Sequence, residues 1–159
     1  MDSVWTKTAN LPHFEELEGD VTTDVLIIGG GITGILCAYF MKERGIDYLL
    51  VEGQEICNGV TGNTTAKITA QHGLIYAKMI RHAGLEKTRL YLEANQRAVM
   101  KYAELAQHFT CDFAEKSAYV YSLNDRRKLE QEAESYGLLP HTAHNHQTPQ
   151  QPKHTTATH

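Results

Sequence analysis

The chain has 159 residues, the length of one ordinary domain, and a formal net charge of −4 at pH 7. Acidic and basic residues are interspersed, so no broad basic face forms and nucleic acid is not expected as a partner. No apolar run reaches membrane-spanning length and the N-terminus lacks a signal-peptide pattern, which together predict a cytoplasmic protein without a membrane span. The cysteines are widely spaced without a Cys-x-x-Cys pair, so neither a disulfide framework nor a metal site is predicted.

Residues 1–23 are predicted to form an irregular N-terminal arm. The segment shows neither the helical period nor the alternation of a strand. It contains the large apolar side chains of Trp5, Leu11 and Phe14, with Pro12 between the last two. We expect these residues to anchor the arm onto the body of the domain.

A dinucleotide-binding βαβ unit is predicted from Asp24 onwards. The apolar run Val25–Ile28 is typical of a parallel strand that is buried on both faces. In the turn that follows, Gly29 permits tight bending, Gly31 lets N–H groups approach a pyrophosphate, and Gly34 lets the next helix pack closely on the sheet. The phosphates are expected at the positive end of that helix.

The helix of this unit is expected to end near Gly45, because Lys42 and this glycine form a stop signal. A second strand is predicted over 48–52, with Glu52 at its end. A carboxylate at this position can accept hydrogen bonds from a ribose 2′-hydroxyl and repels a 2′-phosphate. The glycine turn and this acid leave both FAD and NAD open as the dinucleotide.

The remainder of the domain, which runs from 24 to 139, is predicted to contain a loop and mostly helices. The polar loop 53–73 follows the second strand, and a long polar loop beside a phosphate site is usually functional. Apolar spacing predicts helices over 74–83 and 85–109. The β-rich alternation of 117–123 predicts a strand, after which Asn124 is expected to cap a charged helix.

Residues 140–159 differ sharply in composition from the rest of the chain. They are rich in His, Thr, Gln and Pro and contain no apolar side chain larger than alanine. Such a segment cannot bury enough apolar surface to fold, so a disordered tail is predicted. Its histidines have no folded geometry around them, so no metal site is assigned to it. An out-of-frame reading after a deletion in the coding region is our hypothesis for its origin.

The loop from Gly59 to Gly73 reads Gly-Val-Thr-Gly-Asn-Thr-Thr-Ala-Lys-Ile-Thr-Ala-Gln-His-Gly. In its position after Glu52 it resembles the second flavin-contacting segment of the D-amino-acid-oxidase-like family, which includes glycine, sarcosine and dimethylglycine oxidases. It looks most similar to the bacterial branch in which the flavin domain is joined to a C-terminal Rieske domain. The resemblance covers residues 3–138.

The resemblance implies an FAD enzyme that takes a hydride from the carbon next to the nitrogen of a small amine or amino acid. Matched position by position, the residues implied to hold FAD are Gly29, Gly31, Ile32, Thr33 and Gly34 around the pyrophosphate, Glu52 at the adenosine ribose, Thr61, Thr64 and Thr65 at the phosphates and flavin edge, and Lys67 near the flavin ring. A cation at Lys67 would stabilise the anionic reduced flavin, the alternative being a solvated loop lysine. Relatives that bind FAD covalently use a histidine in this loop, whereas the matching positions here carry Thr64 and Thr65, so non-covalent binding is expected.

The chain departs from that family in its length, since family members are at least twice as long. The predicted fold is therefore α/β, an incomplete Rossmann-like FAD-binding βαβ unit with following helices. We expect a truncated N-terminal part that binds FAD weakly, has little turnover and self-associates through an exposed sheet edge. Two alternatives stay open: an NAD-binding module of a reductase, and a non-catalytic remnant or interaction module.

Overall fold

The computed structural model describes residues 7–121 and 125–139, which form two compact units, one ending at Lys67 and the other beginning at Ile68. Three predictions fall outside the described residues: the anchoring role of Trp5, the capping role of Asn124 and the disordered tail 140–159.

The first unit is built around the predicted βαβ arrangement. Strand β1 covers Val25–Ile28, helix α1 covers Ile32–Glu43 and strand β2 covers Tyr48–Val51. The two strands are parallel and in register from Val25 opposite Tyr48 to Ile28 opposite Val51. The mixed helix and small parallel sheet confirm the predicted α/β class and the Rossmann-like unit. This arrangement places the carboxyl ends of both strands at one edge, where the glycine turn begins.

Helix α1 ends where the sequence predicts. Lys42 lies in its last turn, where a cation interacts favourably with the helix dipole. The N–H of Gly45 donates to the carbonyl of Lys42 at 3.1 Å, and the N–H of Ile46 donates to that of Met41 at 3.1 Å. These two bonds satisfy carbonyls that the end of the helix leaves open and turn the chain towards β2.

The described part of the N-terminal arm, residues 7–23, contains no strand. Leu11 and Phe14 are exposed, and so are Leu17 and Val21 further along the arm. The prediction that Leu11 and Phe14 anchor the arm is therefore wrong for these two side chains, because anchoring would require them to be buried.

The described residues of the second unit form three helices: α2, Tyr76–Ala83; α3, Leu85–Ala106; and α4, Arg126–Gly137. The first two lie within the predicted helical ranges. Their core consists of Tyr76, Leu92 and Leu139, which are all buried. The ring of Tyr136 from α4 meets that of Tyr76 edge-on, with the ring centroids 5.1 Å apart. A small aromatic and aliphatic core thus holds the three helices together.

The strand predicted over 117–123 is wrong for residues 117–121, which adopt no regular structure and are exposed. The alternating tyrosines Tyr119 and Tyr121 point into solvent, and without a neighbouring strand their β propensity has nothing to pair with. The helix after this segment is capped by Asp125, whose Oδ1 accepts the N–H of Lys128 at 3.2 Å.

Candidate functional site

The glycine turn between β1 and α1 has the backbone geometry that the sequence predicts. Gly29 has φ +108°, a conformation that side chains other than glycine's rarely adopt, and its N–H donates to the carbonyl of Val51 at 2.7 Å. A Cβ added at Gly34 would lie 1.9 Å from the carbonyl oxygen of Gly29 and 3.4 Å from Cγ2 of Ile27. Two of the predicted glycines are therefore required by the turn and by the close approach of α1 to β1.

Glu52 lies directly beside this turn. Its Oε2 accepts the N–H of Gly30 at 2.7 Å, and its Oε1 accepts the N–H of Gln54 at 3.2 Å. These two bonds, above all the one from Gly30, lower the pKa of the Glu52 carboxyl below its ordinary value of 4.5. Desolvation raises the pKa, but by less than the bond from Gly30 lowers it. The side chain is thus an ionised acceptor that ties the end of β2 to the glycine turn.

Thr61 reaches the same turn from the following loop. Helix α1 begins after Gly31, which has no side chain with which to cap it. The Oγ1 of Thr61 accepts the N–H of Ile32 at 3.0 Å and so satisfies one of the N–H groups that the start of a helix leaves open. A residue 29 positions away in the sequence therefore provides the cap that would ordinarily come from the residue before the helix.

Three further N–H groups of the turn have no acceptor among the described residues: those of Gly31, Thr33 and Gly34. They lie at the N-terminus of α1, where the aligned peptide dipoles favour a negative charge. Unpaired N–H groups at a helix N-terminus are the donor set that binds phosphate in proteins. The turn can therefore hold an anion with its backbone alone.

The loop after β2 is held against the turn by backbone hydrogen bonds. The N–H of Cys57 donates to the carbonyl of Gly30 at 2.9 Å, and the N–H of Gly62 donates to the carbonyl of Cys57 at 2.9 Å. Asn63 strengthens the 3₁₀ turn Thr61–Asn63 by donating from Nδ2 to the carbonyl of Gly59 at 2.9 Å. Burial raises the pKa of the Cys57 thiol, which disfavours the reactive thiolate and fits a structural position.

The predicted site residues are only partly brought together. Glu52 and Thr61 form hydrogen bonds with the glycine turn, so the structure brings these two side chains to it. Thr64, Thr65 and Lys67 follow in an exposed segment, and among the described residues Lys67 has no hydrogen bond or ion pair. The structure therefore joins Glu52 and Thr61 to the glycine turn and shows no such bond from Lys67 within the part of the chain that it describes.

Sequence reasoning missed two contacts in this region. The resemblance assigned Glu52 to a ribose and Thr61 to the phosphates and flavin edge, but the hydrogen bonds of these residues to the N–H groups of Gly30 and Ile32 were not predicted. The missing side chain at Gly31 was the available signal, because a helix that starts on glycine needs its cap from elsewhere. Within 7–121 and 125–139 there is no cluster of three or more metal-ligating side chains, and none of the helices there is long and apolar enough to cross a membrane.

The family model of FAD-dependent oxidoreductases, known as DAO, matches residues 24–153. The chain belongs to this family. FAD is accordingly its family cofactor, and the site described above fits that group at its phosphate end. The N–H groups at the start of α1 suit a pyrophosphate, and the space at Gly34 that a Cβ would fill allows the close turn they require.

Three relatives of this DAO-family chain show that proteins similar to it carry different functional names. It is 43% identical over 142 residues to the putative Rieske 2Fe-2S iron-sulfur protein YhfW of Bacillus subtilis, which agrees with the predicted resemblance to a Rieske-linked branch; the match covers 87% of the chain and 28% of YhfW. The gamma-glutamylputrescine oxidoreductase of Escherichia coli is 22% identical over 77% of the chain and 30% of its own length. The mitochondrial glycerol-3-phosphate dehydrogenase of Rattus norvegicus is 34% identical over 55% of the chain and 12% of its own length.

The chain spans less than a third of the length of each of these relatives. No solved structure matches it significantly. The comparisons therefore establish the family and its cofactor.

Proposed function

We propose that this chain is the N-terminal FAD-binding part of a flavin-dependent oxidoreductase that oxidises the C–N bond of a small amine or amino acid. The observation that carries the proposal is the glycine turn. It combines the N–H groups of Gly31, Thr33 and Gly34, which have no acceptor within 7–121 and 125–139, with the carboxylate of Glu52 at one edge of a parallel strand pair. This combination suits a dinucleotide that has a pyrophosphate and an unphosphorylated ribose.

The three N–H groups would hold the pyrophosphate at the N-terminus of α1. Glu52 would accept hydrogen bonds from the adenosine ribose, because a carboxylate has more acceptor positions than the two N–H groups of Gly30 and Gln54 occupy. When bound, FAD supplies an acceptor for the hydride of the substrate carbon. The exposed hydroxyls of Thr64 and Thr65 and the cation of Lys67 are proposed to follow the cofactor towards its flavin end.

The substrate class rests on two supports. The loop that begins at Gly59 resembles the flavin-contacting segment of amine-oxidising enzymes, and the Escherichia coli relative, matched over 77% of the chain, is named for an amine. The rat relative is named for glycerol 3-phosphate, which favours an alcohol as the second candidate. An amine is preferred because the match to the relative named for an amine covers more of the chain, 77% against 55%.

Binding is the direct test. We expect calorimetric titration of the 159-residue chain to detect FAD and ADP, with NAD binding more weakly than FAD. Denaturation in acid should release the flavin into solution, since the binding is proposed to be non-covalent. Tighter binding of NAD than of FAD would favour a reductase module, and no binding of FAD or ADP would refute the site.

Substrate class is tested separately with the FAD-loaded chain under anaerobic conditions. Slow loss of the visible absorbance of oxidised flavin on addition of gamma-glutamylputrescine, but not of glycerol 3-phosphate, is the expected result, since little turnover is expected of this chain alone. Bleaching by glycerol 3-phosphate alone would favour the alcohol and contradict the amine proposal.

A further inference from the structure

In the glycine turn, the N–H of Ile32 donates to a neutral side chain, the hydroxyl of Thr61. Of the five N–H groups from Gly30 to Gly34, that of Gly30 is held by the Glu52 carboxylate and that of Ile32 by the Thr61 hydroxyl. We propose that Thr61 determines the affinity of the site by competing with a cofactor phosphate for the Ile32 N–H. This inference rests on the proposed function, because it assigns a regulating residue to the same site.

The competition follows from the geometry of the first turn of α1. Ile32 is the first residue of the helix, so its N–H points along the helix axis away from the helix. The N–H groups of Thr33 and Gly34 do the same and have no acceptor in the part of the chain that the structure describes. A phosphate that accepts from all three has to replace the Thr61 hydroxyl, because one N–H makes one well-aligned hydrogen bond. The acceptor of the Gly30 N–H is not replaced in the same way, because it is the charged carboxylate of Glu52, which binds an N–H more strongly than a hydroxyl does.

The exchange requires little movement of the backbone. Thr61 bonds the turn through its side chain. Its loop is held separately by backbone hydrogen bonds, one from Cys57 to Gly30 of the turn and one within the loop from Gly62 to Cys57. Rotation of the Thr61 side chain would free the Ile32 N–H while both backbone bonds remain. A phosphate then gains a charge-assisted bond in place of the neutral one that is lost.

The variant Thr61→Val tests this directly, because valine has nearly the same shape and no acceptor. Calorimetric titration with ADP should show about two- to tenfold tighter binding than in the wild type, the range that corresponds to one neutral hydrogen bond. Thr61→Ser keeps the hydroxyl and should bind ADP as the wild type does. If Thr61 only stabilised the helix, Thr61→Val would lower the melting temperature without tightening ADP binding.

The outcomes separate this inference from the proposed function. Wild type that binds ADP, together with a folded Thr61→Val that binds it equally or more weakly, overturns the competition and leaves the site intact. No ADP binding by any of the three proteins overturns both.

A measurement on the wild type covers the case in which Thr61→Val does not fold. In ¹⁵N-labelled protein, ADP should shift the amide signal of Ile32 together with those of Gly31, Thr33 and Gly34. Shifts of the other three amides without a shift of Ile32 would show that Thr61 keeps its bond, and would overturn the proposal.

Discussion

Gly34 is the position in the turn where an added side chain is tolerated least, because it would collide with a backbone atom and not with a side chain that can move. In Gly34→Ala the new methyl group would lie 1.9 Å from the Gly29 carbonyl oxygen, so α1 has to move away from β1. We expect the free energy of unfolding to fall by about 1–3 kcal/mol or more, and ADP binding to weaken with it. Chemical denaturation and calorimetry measure the two effects.

Gly59→Ala is the matched control, since nothing lies within 4 Å of the position that its Cβ would take. It should change the unfolding free energy by no more than about 0.5 kcal/mol. An equal loss of stability in both variants would contradict the close approach at Gly34.

Glu52 makes stability depend on pH. The pKa of its carboxyl is lower in the folded chain than its ordinary value of 4.5. Its contribution to the free energy of unfolding is therefore fully present above pH 4.5 and is lost as the pH falls through the lower pKa of the folded chain. In Glu52→Gln one carboxylate acceptor becomes a donor, which leaves the N–H of Gly30 or of Gln54 unpaired. The wild type should be more stable than the variant above pH 4.5, and the difference should shrink below it.

Unfolding by urea at several pH values measures this difference. Subtracting the variant from the wild type removes the effect of the other carboxyl groups, such as Glu86 and Asp125, whose pKa values are also lowered, chiefly by side-chain hydrogen bonds to Arg89 and Lys128 respectively. A difference that does not change with pH would mean that Glu52 does not act as an ionised acceptor in the folded chain.

Residue types in the turn were predictable, but their hydrogen-bond partners were not. Glycine spacing after an apolar run restricts the backbone locally, so Gly29 and Gly34 could be assigned from the sequence. The Thr61 hydroxyl bonds Ile32 only because the loop between them folds back, and this path depends on tertiary contacts such as the bond from Cys57 to Gly30. Such contacts leave no periodic signal in the sequence.

Among the elements, helix α2 depends on a carboxylate from another helix. Its N-cap residue, Ile75, makes no side-chain cap. Instead Glu132 of α4, which is only 5% exposed, accepts the N–H of Tyr76 at 2.7 Å and that of Ala77 at 2.8 Å. The carboxylate thus satisfies two open donors of α2 and joins two helices of the second unit.

We expect Glu132→Ala to lower the free energy of unfolding by about 1–3 kcal/mol, because it leaves two N–H groups without their acceptor. Glu132→Gln keeps one acceptor oxygen and should lose less. Glu134→Ala on the same helix is the control, since Glu134 is exposed. Thermal unfolding followed by circular dichroism distinguishes the three, and equal melting temperatures for Glu132→Ala and Glu134→Ala would contradict the capping role.

Element type was predicted best where a period extends over many residues. The apolar residues of α3 recur at helical spacing over many turns, which was enough to predict a helix. The predicted range 85–109 exceeds the observed Leu85–Ala106 by only three residues at its end. The short alternation over 117–121 was misleading, because a strand needs a partner and two exposed tyrosines do not supply one. Periodicity therefore predicts helices better than isolated strands in this chain.

At the scale of the whole molecule, the sheet of the first unit leaves apolar surface exposed. Among the described residues it has two strands, and on β1 the side chains of Leu26 and Ile28 are 54% and 80% exposed. Gly29 donates its N–H towards β2, so by the alternation of peptide groups Leu26 and Ile28 direct theirs to the opposite edge. An apolar edge whose backbone groups face no further strand among the described residues favours pairing with another strand.

This edge predicts that the purified chain associates with itself as its concentration rises. Ile28→Lys places a charge on the edge and should reduce the associated fraction measured by sedimentation velocity, because an edge lysine would be buried beside its copy without a partner. Val60→Lys is the matched control, since Val60 is 87% exposed but lies in the loop after β2. Equal reduction by both variants would attribute the effect to net charge, and a monomeric wild type at every concentration would remove β1 as an interface between copies.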